Sequence, residues 1–167
     1  MIRKTFFYIF FISTVAFFYV TCSDEVNAQT YEGIVVKVAD GDSITILYEG
    51  KELRIRLAEI DAPERGQPFW KKSREALADY VAGKQVQVVE VDIDRYKRIV
   101  GQVYIGETWV NGALVRGGYA YVYPKYATSE RLYEFERAAK ENQAGIWKLP
   151  ENERVKPWVW RKQKRKN

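Results

Sequence analysis

The chain contains one cysteine, Cys22, and no histidine. A single thiol excludes disulfides within the chain and thiolate zinc clusters, so the fold must be stabilised by its hydrophobic core alone. The absence of histidine also excludes histidine general bases, Ser-His-Asp triads and histidine-ligated zinc. Any catalysis must therefore use carboxylates, Arg, Lys, Tyr, Ser or Thr, with a hard metal ion as the expected helper.

The length and charge of the chain narrow its class further. Its 167 residues suit one compact domain better than two. Charged residues make up 29% and apolar residues 47%, which is typical of a globular protein. Lys and Arg outnumber Asp and Glu by 27 to 22, giving a net charge of +5 that favours polyanionic partners.

Residues 1–28 have the layout of a secretory signal peptide. A basic start precedes an uncharged run over residues 6–20, and Val26 and Ala28 predict cleavage after Ala28. The run is shorter than the roughly 20 residues of a spanning helix. We therefore expect an exported protein, secreted or in the cell envelope. The alternatives are an uncleaved anchor, the one case with a membrane contact, and a lipid-modified Cys22.

Residues 29–150 predict a mainly β domain with helices, of the α+β class. Alternation of apolar and polar residues predicts strands over residues 34–38, 44–46, 53–57, 86–93 and 99–105. A slip of phase predicts a β-bulge near Val88 and Val89. Five strands with a helix after the third predict a small Greek-key barrel of the OB type, and a mixed α+β sheet is the alternative.

Three helices are predicted within this domain. Apolar residues at helical spacing predict the first over residues 69–81, ended by Gly83. Asn111 is expected to cap a short helix, and Ser129 a longer one that stops at Gly145.

Residues 151–167 form a Trp- and Lys-rich C-terminal tail. Its basic end, residues 161–166, predicts a flexible arm that either solubilises the protein or contacts nucleic acid.

Four carboxylates fall at predicted chain turns: Asp40, Asp42, Asp61 and Glu64. In a barrel these positions can meet at one rim. Converging carboxylates repel each other, and a divalent cation relieves that repulsion. Taken singly, each carboxylate is equally consistent with a turn or a helix entry.

Two arginines extend this group. Arg56 lies on the non-core face of its strand, and Arg98 ends the polar loop 94–98. A guanidinium matches phosphate oxygens and keeps its charge. Carboxylates, a metal ion and arginines are what in-line hydrolysis of a phosphodiester requires. Each arginine alone is also consistent with a surface ion pair.

Tyrosines cluster beside Lys125, at positions 119, 121, 123 and 126. Basic and aromatic residues together suit unstacked bases, which predicts a preference for single-stranded nucleic acid. Strand alternation is expected to send Tyr119 and Tyr121 into the core instead.

Four segments, read in order, closely resemble the staphylococcal-type thermonuclease (micrococcal nuclease-like) family. They are DGDS at 40–43, RLAEIDAPE at 56–64, DRYKR at 94–98 and VNGALVR at 110–116. The resemblance covers residues 31–149, and its strength lies in the ordered combination. Residues 157–161, PWVWR, look like the endings of bacterial secreted relatives.

This resemblance implies an OB-fold barrel of five strands with three helices. It also implies a calcium-dependent nuclease that acts on DNA and RNA, cuts the 5′ P–O bond and leaves 3′-phosphate ends. For a small secreted enzyme we expect a monomer by default. One Ca²⁺ would be held by Asp42, Asp61 and the carbonyl of Ala62, with Asp40 in an outer shell. Glu64 would hold or deprotonate the attacking water.

The resemblance also implies how substrate is bound. Arg56 and Arg98 would bind and polarise the scissile phosphate. Arg95 and Tyr96 would touch a terminal phosphate, and Tyr123 or Tyr126 would stack on a base.

The sequence departs from the family pattern at two positions. Ala62 replaces a frequent Thr, which matters little if only its carbonyl is used. Lys97 stands where Gly is common, so its side chain is expected to alter the loop's backbone angles or add a phosphate contact. The rival to an enzyme is a non-catalytic OB-fold module that binds nucleic acid without cutting it.

Overall fold

The computed structural model describes residues 28–165, so the predicted leader lies outside the described residues. Short 3-10 turns at Gly145–Lys148 and Glu151–Glu153 lie between the last two helices. The elements follow in the order β1 (Thr30–Val38), β2 (Ser43–Tyr48), β3 (Lys51–Leu57), β4 (Ile60–Asp61), α1 (Trp70–Val81), β5 (Gln85–Ile93), β6 (Ile99–Ile105), β7 (Thr108–Trp109), α2 (Val110–Arg116), β8 (Tyr121–Val122), α3 (Glu130–Glu141) and α4 (Pro157–Lys164).

Five of these strands form a closed barrel. Antiparallel pairing gives the order β3-β2-β1-β5-β6, and a parallel pairing of β3 with β6 closes the ring. Alternate side chains point inward and form the core, among them Val35, Ile46, Ile55, Val88 and Val103. The predicted α+β class and five-stranded OB-type barrel are therefore confirmed, and the alternative of an open mixed sheet is wrong.

The β-bulge lies further along β5 than the sequence predicts. The pairing of β5 with β6 shifts between Glu90 and Asp92, rather than at Val88 and Val89. The sequence pattern changes earlier because β1 pairs with β5 only as far as Val89. Beyond that residue β5 has lost one neighbour, and the side chains of residues 91–93 are exposed.

The short helix α2 begins at Val110, and the prediction that Asn111 caps it is wrong. Asn111 lies inside the helix and is fully buried. Its amide donates to the carbonyls of Ala58 and Gly101, and its oxygen accepts from the backbone N–H of Val103. Asn111 thereby supplies hydrogen-bond partners to three backbone groups of the barrel.

The longer helix α3 starts after Ser129, as predicted, but without a side-chain cap. The carboxylate of Glu59 accepts the backbone N–H groups of Thr128 and Ser129 instead. Helix α3 ends at Glu141, so Gly145 begins the following 3-10 turn rather than ending the helix. Helix α1 occupies the predicted segment.

A fourth helix, α4, packs against the barrel domain. Its Trp158 lies on a second small core formed by Tyr121, Ala139, Ile146 and Trp147. The prediction of a flexible arm is therefore wrong for residues 161–164, which belong to this helix. Across residues 28–165, none of the helices has the length and apolar character to cross a membrane.

Candidate active site

The turn between β1 and β2 brings Asp40 and Asp42 to one rim of the barrel. Gly41 allows a close approach, because a Cβ at that position would lie 2.7 Å from the Ala62 Cβ and 2.8 Å from the Ser73 Cβ. Asp42 is 2% exposed, and its Oδ2 accepts the backbone N–H of Ala62 at 2.7 Å. The turn is thereby fixed against the segment that carries Asp61.

Arg56 joins the two most buried carboxylates of this rim. Its neighbours Ile55 and Leu57 face the core, so strand alternation turns Arg56 outward. One Nη donates to Asp42 and the other to Asp61 Oδ1 at 2.7 Å. Asp61 is 0% exposed. Asp42, Arg56 and Asp61 therefore meet as the sequence predicts, with the backbone of Ala62 beside them.

The charges at this rim are incompletely balanced. Burial and the neighbouring charge of Asp42 raise the pKa of Asp40 to about 7. Burial also raises the pKa of Asp61, against the opposing effect of its arginine partners. The rim holds more carboxylates than guanidinium groups, so an added cation would be stabilised there.

A further arginine completes the cluster, at a position where the sequence predicts only a flexible basic arm. Arg161 of α4 donates to both oxygens of Asp61, at 3.0 and 2.8 Å, and also to Glu64 Oε1. It thus connects Glu64 to the two buried aspartates. Pro157 is typical of a first helical position, and Trp158 and Arg161 are three residues apart. That spacing was the one available signal that they share a helix face.

Arg98, a predicted site residue, pairs with a carboxylate outside the rim cluster. Its Nε and Nη2 both donate to Asp94 Oδ2 at 2.7 Å. Because Ile99 pairs with Ile55, alternation places Arg98 on the same outer face as Arg56. The structure therefore brings Arg98 to the correct face of the barrel, in an ion pair with its own loop.

The 94–98 loop carries the predicted phosphate-contact residues. Tyr96 is 59% exposed, and the guanidinium groups of Arg95 and Arg98 lie over its ring at 5.3 and 5.8 Å. Lys97 has a left-handed backbone with φ of 60°. Gly adopts that conformation without strain, which gives a physical reason for the Gly that the resemblance leads us to expect at this position.

The two predicted base-stacking tyrosines differ in their surroundings. Tyr126 is 56% exposed and meets Tyr123 edge-on, at 5.0 Å between ring centroids. Tyr123 is stacked on Trp158 of α4 at 5.1 Å with an interplanar angle of 7°. Tyr121 is buried, as predicted, and Tyr119 is partly buried against the core.

The donor set fits a hard divalent cation in chemical type, since Asp42 and Asp61 supply carboxylate oxygens. Among residues 28–165 no three acidic side chains converge in one metal-binding group. Arg56 and Arg161 instead lie between the carboxylates of this rim. The guanidinium groups that stabilise the buried aspartates therefore bind the same oxygens that a metal would use.

Comparison with known proteins identifies the family of this chain. Residues 54–149 match the family model described as staphylococcal nuclease homologue. A protein of Shigella flexneri named micrococcal nuclease is 38% identical, over 79% of this chain and 81% of its own. An uncharacterized endonuclease of Escherichia coli is 41% identical, over 79% of this chain and 86% of its own. With this match and these identities, the chain belongs to the staphylococcal nuclease family.

Proposed function

We propose that the protein is an exported, calcium-dependent nuclease that hydrolyses phosphodiester bonds of DNA and RNA. The observation that carries this proposal is the convergence of Asp42, Arg56 and Asp61 at one rim, with Glu64 joined to them through Arg161. These are the side chains that metal-assisted phosphodiester hydrolysis requires. The relatives named micrococcal nuclease and endonuclease support the same reaction class.

Asp42 and Asp61 would hold the ion, with the carbonyl of Ala62 assisting and Asp40 in an outer shell. When bound, Ca²⁺ supplies positive charge that neutralises the phosphate. Burial, reinforced by the neighbouring charge of Asp42, raises the pKa of Asp40 and of Asp61, and a bound cation would favour the ionised form of both carboxylates.

Arg56 is suited to bind the scissile phosphate. Its guanidinium is held by Asp42 and Asp61, so it is oriented before substrate arrives and needs little reorganisation. Arg98 would bind a second phosphate oxygen from the same outer face. Its contact with Asp94 would orient the guanidinium plane in the same way.

Glu64 would hold or deprotonate the attacking water. Its carboxylate is about a third exposed, which leaves it accessible to solvent at the edge of the buried cluster. A carboxylate in this position can accept a proton while Arg56 stabilises the charge that develops on phosphate oxygens. Breaking the 5′ P–O bond would release one fragment with a 5′-hydroxyl and leave the phosphate on the 3′ end of the other, as the family resemblance implies.

Exposed aromatic residues support a preference for single strands. Tyr96 and Tyr126 are both more than half exposed beside basic side chains. Stacking of a base on such a ring contributes about 1–3 kcal/mol and requires that the base be unpaired. Arg95 would contact a terminal phosphate next to Tyr96.

Digestion with a chelator control tests this function. The purified protein should degrade denatured DNA and RNA in Ca²⁺, leave them intact with chelator, and attack native duplex more slowly. End-group analysis should find 3′-phosphates. Nucleic acid that is bound but uncut, with or without Ca²⁺, would favour the non-catalytic binding module. The mass of the mature N-terminus in culture medium and in cell fractions tests export and cleavage after Ala28.

A further inference from the structure

We propose that α4 is a built-in occupant of the active site, with Arg161 at the cation position and Trp158 on the base-stacking tyrosine. Metal and substrate must displace these side chains in order to bind. This inference rests on the proposed function, because it assigns a cation to Asp61 and a base to Tyr123.

The contacts of Arg161 are those of a resident cation. Its two Nη groups bind both oxygens of Asp61, and one of them also reaches Glu64. A divalent ion on Asp61 would face a guanidinium on the same carboxylate, and like charges at such a distance repel strongly in a partly buried site. Arg161 and the metal therefore compete for Asp61.

Trp158 covers the second half of the site. Its ring lies on Tyr123 at 5.1 Å and is within 7° of parallel, which is the geometry of a stacked base. Tyr123 in turn lies 5.9 Å from the guanidinium of Arg161. One helix thus presents an aromatic ring and a positive charge to the two places where the enzyme is expected to take a base and a cation.

The helix is anchored next to Glu64 by contacts that are modest in number. Gln67 donates to the carbonyl of Val155 at 2.9 Å, immediately before α4. Lys156 lies 4.0 Å from the ring centroid of Tyr121. Of the residues of α4 itself, only Pro157 is buried. Trp158, Trp160 and Arg161 are half-buried and the remaining side chains of the helix are exposed, so displacement of α4 would uncover mainly two indole rings.

Calcium binding to the purified protein, measured by calorimetry without nucleic acid, tests this competition. Arg161→Gln should bind Ca²⁺ more tightly than wild type, by up to roughly fivefold, the order expected for loss of one partly exposed ion pair. Trp158→Ala should shift affinity in the same direction by less, because it loosens the helix and retains the charge.

The matched control is Lys162→Gln, which removes one positive charge from an exposed position of the same helix. It should bind Ca²⁺ as wild type does. Equal or weaker binding by Arg161→Gln would overturn the inference, as would an equal gain in Lys162→Gln, since general electrostatics would then explain the effect.

The two proposals fail in different ways. If wild type binds Ca²⁺ and cuts DNA but Arg161→Gln binds no more tightly, only the role of α4 is wrong. If neither protein binds Ca²⁺ or cuts DNA, the proposed function is wrong and the inference falls with it.

Discussion

Glu59 and Asp61 stand two residues apart in the same segment, yet their carboxylates are stabilised in opposite ways. Glu59 accepts the backbone N–H groups of Thr128 and Ser129 and the side-chain amide of Gln102. Asp61 is bound by two arginines and lies beside Asp42. Burial acts to raise the pKa of Glu59, but these hydrogen bonds outweigh it and the pKa is lowered. At Asp61 burial prevails and the pKa is raised.

The contrast separates a carboxylate held by backbone groups from one held by side chains. Backbone donors cannot leave Glu59 unless the loop before α3 moves, so this carboxylate joins the segment before β4 to that loop. The partners of Asp61 include Arg161, a side chain 34% exposed. A side chain can turn away without moving the barrel, which is what the proposed exchange of Arg161 for a metal ion needs.

Arg56→Ala should have the largest effect on activity. Loss of a guanidinium oriented toward the phosphate should lower kcat by about 10²–10³-fold. Steady-state digestion of denatured DNA in Ca²⁺, normalised to the folded fraction from circular dichroism, measures this.

Arg54→Ala is the matched control for that measurement. Arg54 lies on the same face of β3 but donates to the carbonyl of Tyr96 rather than to the aspartates. Its loss should leave kcat nearly unchanged. An Arg56→Ala enzyme as active as Arg54→Ala would show that Arg56 has no part in catalysis.

Glu59→Gln should weaken the fold by about 1–2 kcal/mol near neutral pH, the cost of losing charge-assisted hydrogen bonds. Since its pKa is lowered by folding, the stabilisation is complete above the unfolded pKa of about 4.3 and is lost as pH falls through the lower folded value. Urea unfolding of both proteins across this pH range should show the difference shrinking in acid.

The Glu59→Gln variant should have the same activity per folded molecule as wild type. A constant stability difference at all pH values would contradict the charge-based explanation. Glu52→Gln, at an exposed position on β3, provides the control for a change of surface charge.

Lys97→Gly should have the smallest effect, a gain in stability of up to about 1 kcal/mol in thermal or urea unfolding. Lys97 lies in the loop that Asp94 holds together. Like Glu59, Asp94 accepts two backbone N–H groups, those of Tyr96 and Arg98. Lys97→Ala is the control, because Ala at φ of 60° is strained in the same way as Lys. An equal gain in both variants would place the cause in the lost side chain.

Local patterns were sufficient to predict much of this protein. Alternation of apolar residues gave the five barrel strands, and the order of Asp42, Arg56, Asp61 and Glu64 indicated the rim. The role of Asn111 could not be predicted, because an Asn near the start of a helix has the same local sequence whether it caps the helix or binds the distant carbonyl of Ala58. Arg98 was located on the correct face, but its ion pair with Asp94 depends on the geometry of one loop.

The composition of the chain by itself excluded disulfides and histidine chemistry, because these depend only on residue type. The spacing of its apolar residues predicted the strands of the barrel, because alternation is a local property. Only the tertiary structure decided which cation meets Asp61. Arg161 lies 100 residues along the chain from it, and no local pattern encodes a contact at that separation. The contact arises because Trp158 packs onto Tyr123, and the face of α4 that it shares with Arg161 is thereby turned toward the carboxylates.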